Sequence, residues 1–279
     1  TYNGLVERSY NDRIHFSGAL NPGMSGGPAV TADGRVVGIN VARQLGSELV
    51  SFLVPARFAA ALLQRAESGS PPPPREFRAE IGRQLTAWQA GFFQAVSEQG
   101  FRPTPVGPYA AAESAAPWFT CWAQTNADAV PKPRATVNTT NCYSETRLFV
   151  AGDLNTGTIA LTHSFYRSVD LNPFQFAAYL SQQSPLAGFT GWSQKWYTPE
   201  RCHEDFFAAA GAAAHPPLRV VWCARAYRAF AGLYDVSVTA VTQDHGREAL
   251  MSRLSLQGIA YDNAVALAKR FLEAVQWTK

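Results

Sequence analysis

The run SGSPPPP at residues 68–74 constrains the fold of this chain more than any other feature of the sequence. Glycine and serine are typical of flexible linkers, and consecutive prolines form a semi-rigid extended spacer. Few contacts are expected to cross such a segment. We therefore predict a multidomain protein, with domains at residues 1–67 and 77–279 joined by a Pro-rich linker at 68–76.

Composition and charge exclude several classes of protein. Hydrophobic residues make up 47% of the chain and charged residues only 16%, so a disordered chain is excluded. The net charge of +3 without a basic patch disfavours a nucleic-acid-binding protein. The apolar stretches are shorter than the ~18 residues that a membrane-spanning helix needs. Nothing in the sequence implies a cofactor or a metal.

The first domain has the pattern of a β-rich structure. Valine and isoleucine recur on both sides of the turn Asp33-Gly34, which predicts a hairpin. Pro55 then precedes a segment rich in alanine and leucine, which predicts a short helix ending near Arg65.

Residues 21–28, NPGMSGGP, carry the chemistry. An attacking serine must be exposed on a tight turn, beside backbone N–H groups that face the developing oxyanion. Gly23 permits a positive φ, and the glycines after Ser25 remove side chains next to the hydroxyl. The strand–turn–strand pattern that follows excludes the α/β-hydrolase elbow, in which a helix follows the serine.

Three segments in this order resemble the last third of a trypsin-like serine protease, most closely its HtrA/Deg-like branch. These segments are residues 21–29, the run DGRVVGIN at 33–40, and FLVP at 52–55. The resemblance covers about residues 10–66. It implies the C-terminal part of an all-β barrel and a serine endopeptidase that cleaves protein or peptide substrates.

The resemblance also assigns roles by position. It implies that Ser25 is the catalytic nucleophile and that the N–H groups of Gly23 and Ser25 form the oxyanion hole. Ala19 would lie at the floor of the pocket for the substrate side chain, where the absence of a carboxylate predicts a small or medium apolar side chain at the cleaved position. Three residues would pair with the substrate backbone by β-augmentation: Asn40, Val41 and Ala42.

The catalytic triad is incomplete in this sequence. A base and an orienting carboxylate are also required, and in this family both precede the serine. His15 is the nearest histidine, but its position is typical of an ordinary strand residue. We therefore expect this chain, which begins at Thr1 without a signal peptide, to be the C-terminal portion of a longer protease and inactive alone. The alternative is a non-catalytic, protease-like binding protein whose second domain binds a partner.

The second domain resembles no family and is predicted to be an α+β accessory domain. Apolar residues recur at three- and four-residue steps from 77 to 96, which predicts a helix. A second helix is predicted at 262–277. Residues 104–120 are rich in proline and alanine and are predicted to form a long loop.

Four cysteines lie in the second domain: Cys121, Cys142, Cys202 and Cys223. Their even number and wide spacing predict two disulfides and an oxidising location, either the periplasm or the extracellular space. Equal spacing favours the pairs Cys121–Cys142 and Cys202–Cys223, while pairing of Cys142 with Cys223 and free thiols are alternatives. Because a shift of 81 residues superposes the two pairs, an internal duplication is also possible.

Overall fold

The computed structural model describes residues 2–5, 12–43, 51–69, 76–183, 189, 193–207 and 214–278. The chain divides into two compact units, Thr1–Arg75 (unit 1) and Glu76–Lys279 (unit 2), and each is described by itself. Most of the regular structure is β-sheet, with 45% of residues in strands and four helices in the described part. The prolines of the predicted linker lie outside the described residues.

Unit 1 is an antiparallel sheet followed by a helix. Its elements are β1 (Tyr2–Leu5), β2 (Ile14–Phe16), β3 (Pro28–Val30), β4 (Val36–Arg43), β5 (Ser51–Pro55) and α1 (Ala56–Glu67). The strand order is β1-β2-β5-β4-β3. The predicted hairpin and the predicted helix after Pro55 are confirmed. Within the described residues β1 and β3 do not pair with each other, so this sheet is open and no barrel closes.

Glycine is required at two positions of the hairpin formed by β3 and β4. Gly34 has a φ of +84° and donates its N–H to Thr31 O at 2.9 Å, which closes the turn. A Cβ on Gly38 would lie 2.7 Å from Val54 O and 2.9 Å from the Cβ of Leu53. Strands β4 and β5 therefore approach so closely that a larger residue at position 38 would push them apart.

The apolar residues of unit 1 are only partly buried. Ile14 and Leu53 are fully buried. In contrast, α1 buries none of its side chains, and Leu62 on it is 61% exposed. Val30 on β3 and Val36 on β4 are also exposed. The sheet and the helix of unit 1 thus present apolar surface that the described residues leave uncovered.

Unit 2 begins with a long helix and consists mainly of antiparallel strands. Its first elements are α2 (Phe77–Gln99), β6 (Phe101–Val106), β7 (Tyr109–Ser114), β8 (Phe119–Thr125), β9 (Ala135–Ser144), β10 (Leu148–Ala151), β11 (Leu154–Thr156), β12 (Ile159–Ser168) and α3 (Pro173–Gln183). They are followed by β13 (Arg201–Phe207), β14 (Leu218–Ala226), β15 (Leu233–Thr242), β16 (Glu248–Ala260), α4 (Tyr261–Glu273) and β17 (Gln276–Trp277).

A seven-stranded sheet in the order β13-β14-β15-β16-β12-β9-β8 forms the centre of unit 2, and β17-β7-β6 form a smaller sheet. Both α2 and α4 pack against β16. The predicted helix at 77–96 is confirmed, and its apolar stripe buries Phe92 and Val96. It ends at Gly100, whose φ is +72° and whose N–H donates to Val96 O at 3.0 Å.

The prediction of a long loop at residues 104–120 is wrong. Strands β6 and β7 pair through this region, and β8 begins at Phe119. Tyr109, Ala111 and Ala112 are fully buried. Alanine has a low intrinsic strand preference, but packing against neighbouring elements overrides it where only a small side chain fits.

The predicted disulfides are confirmed. Cys121 lies directly opposite Cys142 across β8 and β9, with a Cα–Cα distance of 4.1 Å. Cys202 lies opposite Cys223 across β13 and β14, with a Cα–Cα distance of 4.0 Å. Each disulfide joins the outermost two strands at one edge of the large sheet. The internal duplication stays a prediction.

Candidate functional site

Ser25 lies in the loop between β2 and β3, and its side chain is exposed. Its Oγ forms no hydrogen bond with any residue that the structure describes. Gly23 and Gly26 flank it with φ values of +95° and +85°. A side chain at either position would be strained, so the loop depends on glycine there.

Asn40 on β4 fixes this loop to the sheet. It accepts the N–H of Gly26 at its backbone oxygen at 2.8 Å, and it donates its own N–H to Gly27 O at 2.9 Å. Its side-chain Nδ2 also donates to Met24 O at 3.3 Å. Asn40 is only 6% exposed. Sequence reasoning missed this positioning role, for which the one signal is a polar residue within the apolar run VVGINV.

The backbone N–H groups around Ser25 fall into two sets. The N–H of Met24 donates to Asn21 O at 3.1 Å, and the N–H groups of Gly26 and Gly27 are also hydrogen-bonded within the protein. The N–H groups of Gly23 and Ser25 have no acceptor among the described residues. Two N–H donors close in sequence to the exposed hydroxyl are therefore available to solvent or to an external acceptor.

His15 has the surroundings of a structural histidine. It lies on β2 opposite Phe52 of β5, with a ring centroid distance of 5.9 Å. Its Nε2 is buried and has no hydrogen-bond partner in the described part of the chain. Asp12, three residues before His15 in the sequence, pairs with Arg57. The structure therefore does not bring His15 into a hydrogen bond with Ser25.

The predicted substrate-binding residues lie on two segments of unit 1. Ala19 is exposed in the segment between β2 and Ser25, beside the buried Leu20. Val41 on β4 is exposed, and the pairing of β4 with β5 shifts register between Asn40 and Ala42. The side chain of Ala42 lies outside the described residues. The roles of all these residues stay predictions.

Unit 2 contains a buried polar network that sequence reasoning also missed. Asp235 Oδ2 accepts Arg225 Nε at 3.0 Å and Nη2 at 2.9 Å. Its Oδ1 accepts the hydroxyl of Tyr227 at 2.6 Å and the N–H of Gly258 at 3.2 Å. Burial, and then the charge of Asp235, raises the pKa of Tyr227, so that its phenol stays protonated and remains a donor. The network is buried and fully hydrogen-bonded at the carboxylate, which indicates a structural role.

Two groups of side chains bring three potential metal ligands within 4.8 Å of one another in the described part of the chain. One group is Glu113 with Cys121 and Cys142, and the other is Glu200 with Cys202 and Cys223. In both groups the sulfurs form a disulfide, and a metal would require thiolates. Neither group offers a metal site in this state. No described helix is both long and apolar enough to cross a membrane.

No protein-family model, curated protein or solved structure matches this chain. The resemblance to trypsin-like proteases therefore depends on the motifs in residues 10–66 and on the geometry of the Ser25 loop.

Proposed function

We propose that unit 1 is the C-terminal part of the catalytic domain of a trypsin-like serine endopeptidase, with Ser25 as the nucleophile. The pattern of N–H groups carries this proposal. The donors of Gly23 and Ser25 have no acceptor among the described residues, whereas Met24 and Gly26 between and after them donate within the protein. An oxyanion hole requires two such donors beside the nucleophile.

In the proposed reaction, the Ser25 Oγ attacks the carbonyl carbon of the scissile peptide bond and gives its proton to a base. The carbonyl oxygen becomes an oxyanion and accepts hydrogen bonds from the N–H groups of Gly23 and Ser25. The tetrahedral intermediate then expels the amine, which takes the proton from the base, and leaves an acyl group on Ser25. A water molecule attacks this ester by the same steps and releases the acid. One such donor is worth about 3–4 kcal/mol of transition-state stabilisation in another serine protease.

The base and its carboxylate are proposed to come from sequence upstream of Ser25 that the resemblance places outside residues 10–66. His15 is held against Phe52 and does not contact Ser25. The exposed Val30, Val36 and Leu62 support this proposal, because the remainder of a barrel would cover them.

The substrate is proposed to be an extended peptide that pairs with β4. The backbone N–H and carbonyl oxygen of Asn40 are occupied by hydrogen bonds to the Ser25 loop. Val41 and Ala42 are therefore the residues of β4 proposed to pair with the substrate backbone. Ala19 brings no charge to the pocket, which favours a small or medium apolar side chain at the cleaved position. A preference for lysine or arginine in a peptide library would contradict this specificity.

The test uses the chain together with the sequence that precedes Thr1 in its natural reading frame. This protein is expected to cleave peptides and to react with a fluorophosphonate probe, whereas the present chain alone is not. Ser25→Ala should lower turnover by roughly 10⁶-fold, as in another triad enzyme. Ser68→Ala is the matched control, because among the described residues the Ser68 hydroxyl donates only to Arg65 O at the end of α1. Activity that survives Ser25→Ala would rule out the nucleophile assignment.

The second candidate function is a non-catalytic binding protein in which the protease-like unit has lost its base. The observation that favours it is that Ser25 has no described hydrogen-bond partner. The same experiment separates the two, since such a protein neither cleaves peptides nor reacts with the probe. In both cases the two disulfides support an oxidising location, and we propose the periplasm or the extracellular space.

A further inference from the structure

A groove of about 630 Å³ lies on one face of the large sheet of unit 2, where β14 runs between β13 and β15. Ala224 and Ala226 of β14 line it, and their methyl side chains leave space above the strand. The strand register places Arg201 opposite Ala224 and Tyr234 opposite Ala226, so these side chains share a face of the sheet. The volume is within the ~300–1,000 Å³ typical of sites for small molecules.

Three aromatic rings form one side of the groove. Tyr261, the first residue of α4, lies with its ring centroid 5.8 Å from that of Trp222 and 5.6 Å from that of Tyr234. Both contacts are close to perpendicular, at 71° and 67°. The edges and faces of three neighbouring rings give an apolar surface suited to a planar or bulky apolar group.

Two exposed arginines also line the groove, together with Thr198, Pro199 and Cys202. Arg201 and Arg228 both reach it, and neither pairs with a carboxylate among the described residues. The Nε of Arg228 donates to Tyr197 O at 2.8 Å, which restrains this side chain. His203 also lines the groove, and its Nε2 lies 4.0 Å from Asp205 Oδ2. The buried Arg225 is neutralised by its ion pair with Asp235. The surface of the groove therefore offers two guanidinium groups to an anion.

We propose that this groove binds a carboxylate that is attached to an aromatic or bulky apolar group. The rings would accept the apolar part, and a guanidinium would accept the carboxylate through paired charge-assisted hydrogen bonds. The source is either a free aromatic acid or the C-terminal residue of a peptide. The proposal concerns unit 2 alone and does not depend on the protease assignment.

Isothermal calorimetry on the whole, oxidised chain tests the ligand class. Phenylacetate represents the free acid, and a tetrapeptide ending in phenylalanine represents the peptide source; the tighter of the two identifies the source. The amidated tetrapeptide lacks the carboxylate, and acetate lacks the ring. Because a hydrogen bond to a charged group is worth about one decade in affinity, both controls should bind at least tenfold more weakly.

Two variants localise the binding. Arg201→Gln and Tyr261→Leu should each weaken binding of the preferred acid about tenfold. Arg102→Gln on β6, another exposed arginine, should leave it unchanged. Arg201 is exposed on β13, so its variant is expected to fold, and circular dichroism verifies this for each variant.

Three results would overturn the proposal: no saturable binding of either acid up to about 10 mM, equal binding of the acid and the amide, or equal weakening by Arg102→Gln.

Discussion

Replacing Asp235 by asparagine should destabilise unit 2 strongly. The side chain of Asp235 is 1% exposed and that of Arg225 is 9% exposed. Asparagine keeps one oxygen to accept from Tyr227 and Gly258, but its amide nitrogen then faces the guanidinium of Arg225, donor against donor. The substitution removes the carboxylate from the arginine while leaving the size of the side chain almost unchanged.

The magnitude follows from the burial of the remaining charge. Removing one partner of a buried ion pair costs about 3–5 kcal/mol. The guanidinium of Arg225 also lies 3.8 Å from the ring centroid of Tyr197 and 4.4 Å from that of Phe189. These cation–π contacts are present in both proteins, so they cancel in the comparison. We therefore expect a loss of about 3–5 kcal/mol.

Urea unfolding at neutral pH, with the disulfides intact, measures this change. All seven tryptophans belong to unit 2, so tryptophan fluorescence follows the unfolding of that unit. Glu248→Gln is the matched control, because Glu248 pairs with Arg167 across β12 and β16 at a partly exposed position. Its loss should cost less than about 1 kcal/mol.

The double variant Arg225→Met/Asp235→Asn separates the charge from packing. Methionine packs against Tyr197 without a charge, so the double variant should regain at least about 1 kcal/mol relative to Asp235→Asn. A cost of Asp235→Asn no greater than that of Glu248→Gln, or a double variant no more stable than the single one, would show that the buried charge of Arg225 is not what destabilises the protein.

Two further predictions concern a histidine and a glycine. Burial lowers the pKa of His163, which bonds to Ser252 and to Ala112 O, so the unfolded chain binds more protons near the ordinary histidine pKa of about 6.5. The neutral, buried His163 therefore stabilises the folded protein fully above that pH, and this stabilisation is lost as the pH falls. In urea titrations, the free energy of unfolding of His163→Gln should decrease less steeply between about pH 7 and 5. Gly38→Ala should destabilise unit 1 by about 1–3 kcal/mol, because the Cβ would meet Val54 O at 2.7 Å; unchanged exchange protection of the β4 amides would contradict this.

Local features of the sequence predicted local structure well. The hairpin after Ser25 depends on Gly34 at a positive φ, and the end of α2 depends on Gly100 in the same way. The apolar stripe of α2 could be recognised from residue spacing alone, without knowing which element the helix packs against. The equal spacing of the cysteines likewise predicted the disulfides, because neighbouring antiparallel strands bring residues at that separation opposite each other.

Partner choice between distant strands was not predictable in the same way. Strand β12 pairs with β9 and with the distant β16, while β10 pairs with β11, and no local pattern in the sequence specifies these partners. The candidate site shows the same limit. The glycines and Ser25 are visible as a motif, whereas the hydrogen bonds of Asn40 to the loop depend on the position of β4 beside it. The groove combines β13, β14, β15 and α4, and no short motif encodes it.

The position of the disulfides leads to a prediction that links stability to binding. Strands β8 and β13 lie at the edges of the large sheet and expose nearly all of their side chains, so burial contributes little to holding them. A disulfide attaches each one to its neighbour, and in the chain-entropy model a loop of this size gives about 3 kcal/mol. Of these two edge strands, β13 lines the groove, through Arg201, Cys202 and His203, and β8 does not.

Replacing Cys202 and Cys223 by alanine should therefore loosen β13 and weaken binding of the aromatic carboxylate. Replacing Cys121 and Cys142 should lower stability by a similar amount and leave the affinity unchanged, because β8 lies at the opposite edge of the sheet. Calorimetry at a temperature where both variants are folded compares the two affinities directly. Equal affinities in the two variants would show that the disulfide beside the groove does not position β13 for binding.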